Sequence, residues 1–361
     1  PTEATAGARK SNARGVARGT GAAPSQLAPP PFLHERRRTF RSLVTRVSKA
    51  RKIPPSFVEK DYWVTHTLWS LQQQPHLTLC FKGGTSLAKC FSLIERFSED
   101  IDLQIAVDPA AGLPTVPHAW RPQFANERLA FFAALAKLLI VPGATVEYLD
   151  AEHAPGHRNA VYAVRYPAAF PDSGGTARDY VQIEVTPDQI SAALGEPIAS
   201  MVHDAPEFRT QHDRWRDNRP ADVTCMHPLA TLLGKLEAIS RQFAMADREA
   251  QAFTRHYEDA HHIIKRSQAG RLPALPDGAS VRELAANMCA TDQLRRAIPT
   301  DDPAFAWSET NEGRWAELAR AHAALEGWYW GPRTSLAECC EVIRAWLAAE
   351  RPLDTLPPAD P

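Results

Sequence analysis

Residues 77–107, LTLCFKGGTSLAKCFSLIERFSEDIDLQIAV, limit the fold more than any other stretch of the chain. A short apolar run ends in Gly83-Gly84, and a second begins at Asp100-Ile101-Asp102. Apolar runs bounded by turn signals read as strands. Between them, residues 86–97 can form a helix about 18 Å long, at about 1.5 Å per residue. Such a helix returns the chain to a strand beside the glycine turn. Alternate side chains of a strand share a face, so Asp100 and Asp102 project together while Ile101 turns behind them.

Two carboxylates this close repel one another unless a divalent cation lies between them, and their hard oxygens suit magnesium or manganese. A third ligand is expected from DYVQIEVTP, where Glu184 projects opposite to Ile183 and Val185. Cations bridged by such a trio can clamp the attacking and departing oxygens of an in-line phosphoryl or nucleotidyl displacement. Gly83 and Gly84 would let the backbone approach a triphosphate, and the helix behind them would present free amides and a positive dipole end. Thr85 and Ser86 would add hydroxyl donors, with Lys82 and Arg96 as flanking phosphate contacts. Singly these signals are bland: a Gly-Gly pair is usually a turn, and an Asp-x-Asp pair is usually solvated. Their order, strand, glycine turn, helix, Asp-x-Asp strand and later strand carboxylate, is what restricts the reading.

Around this motif the chain reads as α+β. Residues 1–31 lack apolar periodicity and end in APPP, so a disordered arm is expected. A nucleotide-handling α/β domain with N-terminal helices is expected over 32–220, with further strands in ATVEYLD, NAVYAVRYP and RDYVQIEVTP, the last two joined by a PDSGG turn. From 221 to 350 the periodicity is helical, and 351–361 read as a frayed tail. The net charge is −1, but residues 1–52 hold twelve Lys and Arg against two acids. That basic arm could follow a nucleic-acid backbone or be a solvated tail.

Six scattered cysteines without CxxC, and histidines without HExxH spacing, offer no zinc motif. Free thiols in a reducing cytoplasm are the simplest expectation. No run is long enough to span a membrane, and the N-terminus has no signal-peptide core.

FVEKDYWVT, FKGGTSLAK, RFSEDIDL, GKLEAI and RHYED, in this order between about 54 and 270, resemble the AbiEii (abortive-infection) toxin family. That family lies within the DNA polymerase β-type nucleotidyltransferase superfamily. The resemblance implies a polymerase β-type core followed by a helical domain, with Asp100 and Asp102 as catalytic metal ligands. It also implies phosphate contacts at Gly83, Gly84, Thr85 and Ser86, while Lys82 and Arg96 read equally as phosphate contacts or as ordinary charged flanks. Lys235 matches a lysine that contacts the nucleotide, and Asp259 matches an acid required for activity. On residue type alone, Lys235 reads as a solvated helix face and Asp259 as half of a surface ion pair with Arg255 or His256.

Fourteen residues lie between Thr85 and Asp100, so an extra helical turn is expected there. The implied activity is transfer of an NMP from a nucleoside triphosphate, with Mg2+ or Mn2+, to an RNA end, a tRNA. The implied outcome is growth arrest and phage defence in a cell that also makes a protein antitoxin. Two other readings stay open: an inert nucleotide- or RNA-binding module on the same fold, and a protein AMPylase. Ser98 is a candidate regulatory phosphosite, because a phosphate there would add about −1.5 to −2 charges beside the carboxylates.

Overall fold

The computed structural model describes residues 29–114, 122–149, 159–171, 178–187, 193–245, 250–295, 298–309 and 312–350. Most of the expected basic arm, the expected tail from 351 and most of the PDSGG turn lie outside these ranges. Helix α1 (Arg37–Arg51) buries Phe40, Leu43, Val44 and Val47, the i, i+3, i+4, i+7 stripe of an amphipathic helix. It stops at Lys52, whose left-handed backbone caps it. Helix α2 (Pro55–Gln72) starts with proline in its first turn and is buried on nearly every side. Its two buried charges are paired. Glu59 accepts from the Ala169 and Phe170 amides at 2.8 and 2.7 Å, and Lys60 donates to Glu99 at 2.6 Å.

The chain then enters β1 (Leu77–Lys82), α3 (Gly83–Lys89) and β2 (Asp100–Val107). Helix α4 (Ala125–Leu135), strands β3 (Thr145–Tyr148), β4 (Ala160–Arg165), β5 (Val181–Thr186) and β6 (Ala193–Glu196), the single turn α5 (Pro206–Arg209) and β7 (Val223–Met226) follow. Together the strands make a seven-stranded mixed sheet in the order β3-β4-β5-β2-β1-β7-β6. Beyond it come α6 (Pro228–Phe243), α7 (Ala250–Gln268), α8 (Val281–Ala290), α9 (Gly313–Ala324) and α10 (Leu336–Glu350). An α+β fold with a helical C-terminal part is what this layout gives.

Two apolar cores form, one under the sheet with α1, α2 and α4, and one among the C-terminal helices. Cys80 of β1, Leu87 of α3, Leu93 and Ile94 belong to the second core, so the glycine-turn unit sits where the two meet.

Three sequence expectations change. The helix after the glycine turn ends at Lys89 rather than near residue 97, and Ser92 adopts φ +49. Beyond the helix Leu93 and Ile94 both enter the second core, and the Leu93 amide donates back to the Leu87 carbonyl at 2.9 Å. Strands β6 and β7 lie where no strand was read, and β7 pairs with β1 beyond the expected domain limit at 220. Cys90 and Cys225 are joined as a disulfide, correcting the expectation that all six thiols are free. The pairing of β1 with β7 brings these two cysteines together from 135 residues apart.

Candidate active site

Strands β1 and β2 run antiparallel with Lys82 opposite Asp102, and β2 runs parallel to β5 with Asp102 opposite Glu184. Asp100, Asp102 and Glu184 therefore occupy one face of neighbouring strands, at the wall of a cavity of about 480 Å3. Gly83 has φ +76, and a Cβ there would stand 1.9 Å from Asp102 Oδ2. Both the backbone conformation and the contact demand glycine. At Gly84 a Cβ would come 2.6 Å from Arg96 Nη2 and 3.2 Å from Ser98 Oγ. The turn is packed as tightly as its backbone permits.

The helical side supplies the cations. Lys235 of α6 and Arg255 of α7 line the same cavity, with the neutral His256 of α7 beside them. Behind them Asp259, fully buried, accepts from Arg96 Nε at 3.0 Å and Arg96 Nη2 at 2.7 Å, and pairs with Lys235 Nζ at 2.8 Å. Burial alone would raise the Asp259 pKa, but the charges of Arg96 and Lys235 outweigh it and hold the carboxyl well below the usual range. Lys235 is itself lowered by burial, against the opposing pull of Asp259. Burial, then the Lys235 charge, pushes His256 well below its ordinary value, so its neutral Nδ1 accepts from Lys235 at 3.2 Å. The surface ion pair expected for Asp259 is thus replaced by a buried one whose partners are remote in sequence. The solvated reading of Lys235 fails for the same reason, since a buried ammonium needs a counter-charge.

Burial, then Glu184 and Asp100, pushes Asp102 up to about 7, while Lys82 and Lys235 pull against the rise. Asp100 Oδ1 accepts from Arg178 Nη1 at 2.9 Å. Glu184 accepts from Asn159 at 2.6 Å, and Lys82 donates to Thr186 Oγ1 at 3.0 Å.

Lys82, Gly83, Gly84, Arg96, Ser98, Asp100, Asp102, Glu184 and Lys235 all line this cavity. Thr85 and Ser86 do not. Thr85 Oγ1 is hydrogen-bonded to the Asp100 carbonyl at 2.5 Å and to Ser98 Oγ at 2.8 Å, and Ser86 Oγ donates to the Gly83 carbonyl at 3.0 Å. These hydroxyls brace the turn and the carboxylate strand instead of pointing to a phosphate. Arg96 keeps its place at the cavity, but its guanidinium is committed to Asp259 and the Phe97 carbonyl.

A family described as nucleotidyl transferase AbiEii toxin, type IV toxin–antitoxin system, matches residues 68–326, well over half of the chain. The chain belongs to the AbiEii toxin family. It is accordingly a nucleotidyltransferase enzyme of the toxin–antitoxin kind. Two solved structures are similar. MenT4, a nucleotidyltransferase toxin from Mycobacterium tuberculosis H37Rv, is 19% identical with a TM-score of 0.44, over 87% of this chain and 98% of that one. An antigenic nucleotidyltransferase-like protein from Paracoccidioides brasiliensis is 16% identical with a TM-score of 0.33, over 64% and 88%. No curated protein sequence matches.

In this AbiEii chain the cavity also gathers residues that the sequence reading did not select. Gln104 continues the Asp100-Asp102 face by the same alternation, a signal that was present in DIDLQ. Arg178, two residues before Tyr180, carries no sequence signal of its contact with Asp100. Arg255 and Thr231 read only as helix positions.

Proposed function

We propose that this AbiEii enzyme transfers an NMP from a nucleoside triphosphate to the end of an RNA acceptor, a tRNA, and thereby arrests growth until a cognate antitoxin intervenes. The observation that carries the reading is the in-register trio Asp100, Asp102 and Glu184 facing the glycine turn, with Lys235 at the same cavity. As donors, three oxygen ligands crowded enough to raise Asp102 to about 7 fit a hard divalent cation such as Mg2+ or Mn2+. Among the described residues, no group of three or more His, Cys, Asp or Glu side chains already converges as a cage. Asp100, Asp102 and Glu184 would hold the ion. When bound, a divalent cation there would lower the pKa of the acceptor hydroxyl and neutralise the leaving pyrophosphate.

The chain's own residues do the rest. Gly83 and Gly84 leave the backbone bare at the turn, so phosphate oxygens can approach the amides. Lys82, Lys235 and Arg255 bring positive charge to the triphosphate. Asp259 positions Lys235 by holding its ammonium from behind. The pairing of Asp259 with Arg96 and Lys235 is buried, which strengthens these contacts relative to water.

Incubation of the purified chain with four labelled triphosphates, total RNA and cell protein tests the proposal. Label in tRNA supports it. Label in protein makes the enzyme an AMPylase, and nucleotide binding without any transfer makes it a binding module. No helix among the described residues is long and apolar enough to cross a membrane.

A further inference from the structure

The cavity extends past the carboxylates. On its α6 wall Ala230, Gly234 and Ala238 recur one turn apart, and a Cβ at Gly234 would meet nothing within 4 Å. A flat group can lie against such a stripe. Met226 and Met288 bring thioethers to the same cavity, and sulfur packs well at the edges and faces of aromatic rings.

Two polar atoms on this wall, which also carries Asp292, Gln293 and Arg295, have nothing to bind. Gln104 and Thr231 are 1% and 6% exposed and both line the cavity, yet Gln104 Oε1 and Thr231 Oγ1 have no hydrogen-bond partner. Buried polar groups are normally paired, so orphans at a cavity wall point to a missing ligand. The direction of the Gln104 amide is fixed by a relay. Thr291 Oγ1 donates to the Asn287 carbonyl at 2.9 Å, which leaves its lone pairs to accept from Gln293 Nε2 at 2.9 Å. Gln293 then presents Oε1, which accepts from Gln104 Nε2 at 3.3 Å. With its amide nitrogen turned to Gln293, Gln104 must offer its carbonyl oxygen as the acceptor.

We infer that this end of the cavity is a nucleobase subsite in which Gln104 Oε1 accepts a hydrogen bond from the base and Thr231 Oγ1 takes a second polar atom of its edge. Gln104 is then a specificity-determining residue for the choice of triphosphate. The inference rests on the reading of the cavity as a nucleoside-triphosphate site. A glutamine that reads a base edge by hydrogen bonding discriminates through the group left unpaired when the wrong base enters.

The test measures equilibrium binding of ATP, GTP, CTP and UTP with Mg2+, and transfer kinetics for each, on the full chain. Wild-type protein should rank the four, and Gln104→Met, close in size but without hydrogen bonds, should collapse the ratio of best to worst by about tenfold or more. Thr231→Val should compress it in the same direction. A third arm uses wild-type protein and an analogue of the preferred triphosphate whose base N–H donor is methylated. It should bind about tenfold or more weakly, and it does not depend on any variant folding. An unranked wild type, an unchanged ratio in Gln104→Met, or full affinity for the methylated analogue would overturn the subsite. Ranked binding that follows Gln104 but leads to no transfer onto any acceptor would sink the transferase proposal and leave the subsite standing.

Discussion

Replacing Asp102 by Asn should stabilise the metal-free protein at high pH and leave it unchanged in acid. The Asp102 carboxyl moves from 3.8 to about 7 on folding. At about 1.4 kcal/mol per pH unit, that is roughly 4 kcal/mol of opposition to folding once the group is ionised. Asp102 is partly exposed at the cavity wall, where solvent screens part of the repulsion, so about 1–2 kcal/mol is the effect to expect. The folded protein holds a proton that the unfolded chain releases between about pH 4 and pH 7. The penalty is therefore absent below about pH 4, grows as pH rises, and is complete above the folded value of about 7. Asn carries no charge at either extreme and keeps the shape.

Thermal melts in EDTA at pH 4 and pH 8 read this as a difference between variant and wild type, which cancels the titrating groups that do not sense Asp102. At pH 8 the variant should melt a few degrees higher. Added Mg2+ should reverse the order, because only the wild type gains from the ion, while transfer by the variant is lost. A stability difference that does not grow with pH, or a variant less stable at pH 8, would refute the crowding argument.

Asp259→Asn leaves Arg96 and Lys235 buried without their shared counter-charge, so the unfolding free energy from urea titration should fall by about 3–5 kcal/mol. Adding Lys235→Met to that variant should recover part of the loss. Lys235→Ala should raise the KM for the triphosphate more than it lowers the melting temperature, and unchanged kinetics would return Lys235 to a packing role. Ser98 lines the carboxylate cavity beside Gly84; if that cavity takes the triphosphate as proposed, Ser98→Asp should weaken triphosphate binding while Ser98→Ala retains it. Protein phosphorylated at Ser98 that still bound nucleotide normally would end that idea.

What the sequence disclosed was local. The Asp100-Ile101-Asp102 alternation, the strand around Glu184 and the helices α1, α6 and α7 follow from periodicity that a few neighbouring residues fix. Strands β6 and β7 were hidden because ALGE and VTCM are only four residues long, and no turn chemistry marks a hairpin between them. The burial of Asp259 was hidden for another reason. Its neutralising partner Arg96 lies 163 residues away, and a charge reads as solvated until that partner is known. Thr85 and Ser86 looked like phosphate donors because hydroxyls after a glycine turn can point either way, and only the packing of β2 decides it.

The long separation of Arg96 from Asp259 has a bearing on how the toxin is made. A ribosome adds residues at about 5–20 per second, so roughly 10–30 s pass between synthesis of Arg96 and synthesis of Asp259. During that interval the Asp-x-Asp strand and the glycine turn can already exist, but Lys235 and its anchor do not. Until α7 has been made, Arg96 and Lys235 lack the carboxylate that neutralises both of them in the folded protein.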